Sequence, residues 1–116
     1  MTATFPELET PAPLVDLDRF ERNVAEAATY AATHGIGLTP HAKTHKTLEL
    51  ARAQLEAGAA GLTVAKSEEA ATYADAGLGP LLVHYPVFGE AKWERLAHVA
   101  GEVGLTVAVD SVDVAE

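Results

Sequence analysis

The chain contains no cysteine, which removes disulfides, thiolate metal sites and cysteine nucleophiles from consideration for these 116 residues. Basic residues are scarce: 8 Lys and Arg stand against 17 Asp and Glu, a formal net charge of −9. That balance argues against a polyanionic partner, so neither nucleic acid nor an anionic membrane is expected. No stretch approaches the ~20 consecutive apolar residues that a membrane-spanning helix requires. The start, Met1-Thr2-Ala3-Thr4-Phe5-Pro6, lacks the basic segment and apolar run of a secretory leader. A soluble, cytoplasmic protein is the expectation. Phosphate-loop signatures are missing as well: there is no GxxxxGK[ST] run, and Gly35-Ile36-Gly37 precedes an extended segment where a dinucleotide fingerprint would follow one.

Hydrophobic residues make up 48% of the chain, enough to bury a core, and by length alone the chain counts as one domain. A Pro-rich lead runs to about Pro13, and Leu14 to Leu17 reads as a short extended segment. Asp18 is placed to cap a helix, with Glu21 three residues on completing a carboxylate variant of the capping box. Phe20, Val24, Ala27, Ala28 and Ala31 recur at helical spacing, and Gly35 is a natural stop.

From there a unit repeats every 20 to 25 residues or so: a Gly-led apolar strand, a polar junction, an amphipathic helix and another Gly. The spacing predicts strands over Gly37–Lys43, Gly61–Lys66, Pro80–Tyr85 and Leu105–Asp110. It predicts helices beginning near Thr47, Ser67 and Glu90 and stopping near Gly58, Gly77 and Gly104. Ser67 is read as a cap, with Glu68 and Glu69 complementing the positive helix start. Trp93, Leu96, Ala97 and Ala100 form an apolar stripe. Leu81-Leu82-Val83 and Val107-Ala108-Val109 are near-continuous apolar runs, as expected of parallel strands covered on both faces.

The alternation means an α/β fold. Ser111 reads as a cap and Val112 to Glu116 as the first turn of a helix that is then cut off. The expectation is therefore the N-terminal part, about four βα units, of a TIM-type (β/α)8 barrel with parallel strands, an architecture that typically needs ~250 residues. Residues 1–17 would be lead and first extended segment, and residues 18–116 the partial barrel.

The chemistry concentrates in Thr39-Pro40-His41-Ala42-Lys43-Thr44-His45-Lys46. In a strand, Thr39, His41 and Lys43 share one face. Lys43 then ends the strand on the rim where barrel enzymes assemble their active sites. An amine that attacks a carbonyl must be neutral, whereas an unperturbed lysine has a pKa near ~10.4. Burial and nearby positive charge favour the neutral form, and His41, His45 and Lys46 are neighbours able to supply that charge. The competing reading is a strand-end lysine in water.

Lys66 also ends a strand and is a rival by position, although Glu68 and Glu69 would hold it protonated. His84, Tyr85 and Asp110 fall at the same rim, where a structural role is the plainer reading. His41 and His45 are four residues apart, the spacing of a helical metal-ligand pair, but Pro40 and the strand reading oppose a helix there. No metal site is expected in this chain.

These eight residues resemble the fold-type III pyridoxal-phosphate (PLP) enzymes, in the D-threonine aldolase and D-serine dehydratase branch related to alanine racemase. That branch carries Pro-His-x-Lys-Thr-His-Lys at the end of its first barrel strand, and here the run is Pro40-His41-Ala42-Lys43-Thr44-His45-Lys46. Thr10 to Asp18, Gln54 to Ala59, Pro86 to Lys92 and Val109-Asp110-Ser111 are also similar to the family, so the resemblance covers nearly the whole chain.

The resemblance implies a PLP-dependent lyase acting on D-amino acids as the parent protein. Lys43 would hold the cofactor as an internal aldimine and later act as a base at the substrate α-carbon, with His41 and His45 near the imine. The alternatives are an amino-acid racemase, a non-catalytic PLP carrier of the same fold, or a non-catalytic α/β interaction protein. One local departure is Thr39, where the family motif has Arg. The family's phosphate-gripping loops, its second β-rich domain and its divalent metal ligands would lie outside these residues. The chain alone is expected to be inactive and the full-length parent to be a homodimer.

Overall fold

The computed structural model describes residues 4–116. The first three residues of the lead, Met1, Thr2 and Ala3, lie outside the described residues.

The first predicted helix forms as α1, Leu17–His34, but its cap is Asp16 rather than Asp18. Asp16 sits in extended backbone and its Oδ1 accepts the Arg19 N–H at 3.0 Å, satisfying a donor the first helical turn leaves open. Asp18 instead lies within the first turn, where its charge complements the helix dipole. Capping at Asp16 draws Leu17 into the helix, so the predicted extended segment Leu14–Leu17 forms no strand. Gly35, at φ 63°, takes the left-handed conformation that ends the helix. Only Ala31 of α1 is buried, so this helix lies largely off the main core.

The sheet holds three parallel strands: β1 (Leu62–Val64), β2 (Leu81–Val83) and β3 (Leu105–Val107). Helices α2 (Leu48–Glu56), α3 (Ser67–Asp75), α4 (Glu90–Glu102) and α5 (Val112–Ala115) alternate with them. The spatial order is β1-β2-β3, each strand beside its successor in sequence. This is the winding of a (β/α) barrel wall, without the strand-order reversal of a doubly wound sheet.

The first of the four predicted strands, Gly37–Lys43, is reduced to a single parallel bridge between His41 and Thr63. The segment does run alongside β1: Leu38 O accepts from Ala60 N at 2.7 Å, Pro40 O from Thr63 N at 2.8 Å, and Thr63 O from Ala42 N at 2.9 Å. Pro40 has no N–H to donate, and the chain leaves the ladder at Ala42, whose carbonyl accepts the Lys46 N–H at 2.9 Å. A regular ladder has no room between those two interruptions.

Leu62 pairs in register with Leu81 and Leu105, and Val64 with Val83 and Val107. Leu62, Val64, Leu81 and Val83 are buried in one cluster with Ala70, Ala74, Leu96 and Val99 from α3 and α4. Each large apolar side chain buried this way is worth roughly 1.5–3 kcal/mol. The buried stripe of α4 is Leu96 and Val99 with Trp93 half-buried, whereas Ala97 and Ala100 of the predicted stripe are exposed. The larger side chains at three-residue spacing win the inward face. Gly61 permits β1 to approach β2, since a Cβ there would lie 2.6 Å from the Pro80 carbonyl oxygen.

The opposite face of the sheet carries Thr63, Leu82 and Thr106 in register, with His41 bridged to Thr63. Among the described residues no helix covers it: Thr63 is buried, Leu82 half-buried and Thr106 exposed. This is the face that a closed barrel turns inward. Among the described residues, no helix is long and apolar enough to cross a membrane.

Candidate active site

The octapeptide crosses from the bridged segment into the turn that leads to α2. Thr39 and His41 lie on the open face: Thr63 Oγ1 donates to the Thr39 carbonyl at 2.7 Å and lies 3.2 Å from Thr39 Oγ1. Ala42, pointing the other way, is buried against the helix layer with Ala51 of α2. The two-residue alternation read from sequence therefore holds through His41 even though the ladder is irregular. Thr39, which stands where the family motif has Arg, spends its polar groups on Thr63.

Lys43 follows at the turn, exposed, beyond the C-terminal end of the bridged segment. Its backbone N–H donates to His41 Nδ1 at 3.2 Å. The ion pairs among the described residues use Arg19, Lys46, Arg95 and His98, so none engages the Lys43 ammonium. Lys46, by contrast, is tied to Glu69 at 3.2 Å and adopts φ 50°, a left-handed conformation uncommon for a residue with a side chain.

His41 reaches across the open face to a residue from the far side of β1. Its Nε2 lies 3.1 Å from His84 Nδ1, and the two rings meet edge to face with centroids 4.6 Å apart and planes at 81°. The parallel register explains the meeting. Val64 pairs with Val83, so His84 emerges one residue past β2, on the same face as Leu82 and at the level of Ala65. Burial first, then the neighbouring His84 and Lys43, hold the His41 imidazole below its ordinary value, against an opposing pull from Glu69. His41 is neutral at physiological pH. Tyr85 packs edge to face against His84 at 5.9 Å.

His45 turns to the helix layer. Its Nδ1 accepts the Thr47 N–H at 3.2 Å and its Nε2 lies 3.1 Å from Gln54 Oε1 of α2. It lines an apolar cleft of about 350 Å³ with Phe20 and Val24 of α1, Pro40 and Leu50. The structure therefore brings His41 to Lys43 and to the rim residue His84, and gives His45 to α2.

The rival Lys66 is the N-cap residue of α3, exposed. The two glutamates expected to hold it pair elsewhere: Glu68 with Arg95 at 3.1 Å and Glu69 with Lys46. Ser67, read as the cap, is the first residue of α3 and accepts from Arg95 at 2.9 Å. Tyr85 lines a larger cleft, about 730 Å³, with Lys46, Lys66, Ser67, Glu68, Glu69 and Lys92 at the same end of the strands. Asp110 is exposed. Among the described residues, no group of three or more His, Asp or Glu is placed to hold a metal ion.

Glu69, expected to pair with Lys66, pairs with Lys46 instead. Its Oε2 accepts the Ala65 N–H at 2.9 Å while Oε1 takes Lys46. The signal was its place three residues after the cap, where a carboxylate reaches back past the helix start.

The sequence model of a family described as "Alanine racemase, N-terminal domain" matches residues 15–116. A D-threonine aldolase from Arthrobacter sp is 36% identical over 104 residues, which is 90% of this chain and 27% of that protein. A D-threo-3-hydroxyaspartate dehydratase from Delftia sp. (strain HT23) is 35% identical over 116 residues, 100% of this chain and 30% of that protein. The crystal structure of a D-threonine aldolase from Filomicrobium marinum superposes with a TM-score of 0.87 at 39% identity, covering 91% of this chain and 29% of that one. The chain thus spans under a third of the length of the relatives it matches.

Proposed function

The chain belongs to the alanine racemase N-terminal domain family, and from that membership we propose that the full-length protein is a PLP-dependent lyase of small D-amino acids with Lys43 as the cofactor's covalent anchor. The named activities of the relatives, an aldolase and a dehydratase of D-configured hydroxy amino acids, support the substrate class. The observation that supports the residue assignment is that, among the described residues, the Lys43 ammonium makes no ion pair at the C-terminal rim of a parallel sheet, with its backbone N–H held by His41.

The residues present fit the cofactor's chemistry. An aldehyde is captured by an amine that is accessible and not committed to a carboxylate, and Lys43 meets both conditions where Lys46 does not. When bound, PLP supplies the electron sink that stabilises negative charge at the substrate α-carbon. Lys43 Nζ holds the cofactor and, as the free amine, moves a proton at that carbon. His41, neutral and fixed by its contacts, keeps the Lys43 turn on the open face. His45 supports the same turn from the α2 side and belongs to the cofactor site through that backbone. A divalent metal and a homodimeric assembly are part of the same proposal, with metal ligands expected in the remainder of the protein.

The test is turnover by the full-length protein supplied with PLP and a divalent metal. Release of glycine and acetaldehyde from D-threonine, or of ammonia and a keto acid from a D-hydroxy amino acid, is expected. Binding of PLP without turnover of any D-amino acid would overturn the lyase reading in favour of a carrier, and interconversion of enantiomers would make it a racemase.

A further inference from the structure

The contacts of His41 leave one arrangement of protons. Its Nδ1 faces the Lys43 backbone N–H at 3.2 Å and must be the unprotonated nitrogen that accepts. A neutral imidazole then carries its proton on Nε2, which points at His84 Nδ1 at 3.1 Å. His84 Nδ1 is therefore an acceptor and its own proton lies on Nε2. The 3.3 Å approach of the same Nδ1 to the Val64 carbonyl carries no proton in this arrangement. That carbonyl is served by the His84 backbone N–H, also at 3.3 Å.

The direction of the chain is thus fixed: Lys43 N–H to His41 Nδ1, then His41 Nε2–H to His84 Nδ1. His45 repeats the pattern on the other side of the turn, accepting from Thr47 N–H through Nδ1 and donating from Nε2 to Gln54 Oε1. Either histidine braces the backbone two residues ahead of it and hands its remaining proton to a distant element.

We propose that His84 is a positioning residue for Lys43, acting through His41: by accepting the Nε2 proton it selects the His41 tautomer whose Nδ1 holds the Lys43 backbone. This rests on the reading of Lys43 as the cofactor anchor. His84 touches neither Lys43 nor its amine, so its contribution is to where Lys43 sits. Three observations converge on it: the 3.1 Å contact, the edge-to-face ring geometry, and the strand register that delivers His84 to the open face.

A proton added to His41 breaks the chain, because it would occupy Nδ1 and displace the Lys43 N–H. The charged side chains acting on His41 are Lys43, which disfavours that proton, and Glu69 of α3, which favours it. The brace is consequently whole at neutral pH and released by acid.

The test uses the full-length protein. Long-range nitrogen–proton NMR on the unmodified protein without PLP reads the tautomers directly. Nε2–H on both His41 and His84 is expected, and Nδ1–H on either would overturn the proposal. This readout is independent of PLP, so a failure to label Lys43 would sink the functional reading and leave the brace to be judged here.

In the PLP-loaded protein, His84→Ala is expected to speed cofactor loss on dialysis roughly three- to tenfold, the worth of one lost hydrogen bond. It should also displace the pH midpoint of the bound-cofactor absorbance. His84→Asn, whose Oδ1 stands near the place of Nδ1 and accepts, should restore most of both. Equal behaviour of the Ala and Asn variants, whether both intact or both impaired, would contradict the proposal.

Discussion

Lys46 Nζ lies 3.2 Å from Glu69 Oε1, while the other oxygen of that carboxylate accepts the Ala65 N–H at 2.9 Å. One side chain from α3 thereby ties the turn after Lys43 to the end of β1. It also holds Lys46 at φ 50°, a conformation that costs a residue with a Cβ on the order of 1 kcal/mol or more.

Glu69→Gln is expected to lower stability by about 1 kcal/mol, the small figure reflecting the exposed Lys46 end of the pair. Burial raises the Glu69 carboxyl, but the Ala65 N–H and Lys46 outweigh it and the net direction is below the ordinary 4.5. A depressed folded-state value means stability fully present above 4.5 and lost as pH falls through the folded value. Thermal unfolding of the full-length protein from neutral to acid pH should show that loss in the wild type and a flatter profile in Glu69→Gln.

His41 adds an acid sensitivity at higher pH. Its imidazole is held below the ordinary 6.5, so the unfolded chain binds the proton first. The contribution is intact above 6.5 and declines as pH falls from there towards the folded value. His41→Asn removes this titration, and its thermal midpoint should vary less than the wild type's just below 6.5.

Tyr73 is buried at 4% exposure and its hydroxyl has no hydrogen-bond partner among the described residues. An unsatisfied buried polar group costs about 1–3 kcal/mol. Tyr73→Phe should leave stability unchanged or raise it by up to about that amount, measured by chemical denaturation.

Gly61→Ala would drive a Cβ to 2.6 Å from the Pro80 oxygen, backbone that yields only if β1 and β2 separate. A loss of about 1–3 kcal/mol or more is expected. Gly101→Ala on α4 meets nothing within 4 Å and should stabilise by about 0.4–1 kcal/mol. The pair of thermal shifts, opposite in sign, checks the packing of the sheet.

Periodicity made the alternating architecture legible, because α3 and α4 bury a face against strands whose apolar runs are short and unbroken. It overstated the first strand, since Pro40 and the turn at Ala42 are local interruptions that an apolar pattern does not weigh. Asp16 took the cap from Asp18 because the cap depends on backbone conformation, which composition does not reveal. Within the candidate site, the place of Lys43 at the C-terminal end of its segment was readable from local sequence, whereas the turn that carries it was not. The His41–His84 contact spans 43 positions and depends on strand register, and Glu69 choosing Lys46 over Lys66 depends on where two turns meet.

The most direct test of the account is borohydride reduction of the PLP-loaded full-length protein followed by peptide mass mapping. The account predicts a single reduced pyridoxyl adduct on Lys43, absent in Lys43→Ala and retained in Lys46→Ala and Lys66→Ala. An adduct on Lys46 or Lys66 in the wild type, or none in a folded protein saturated with PLP, would contradict it.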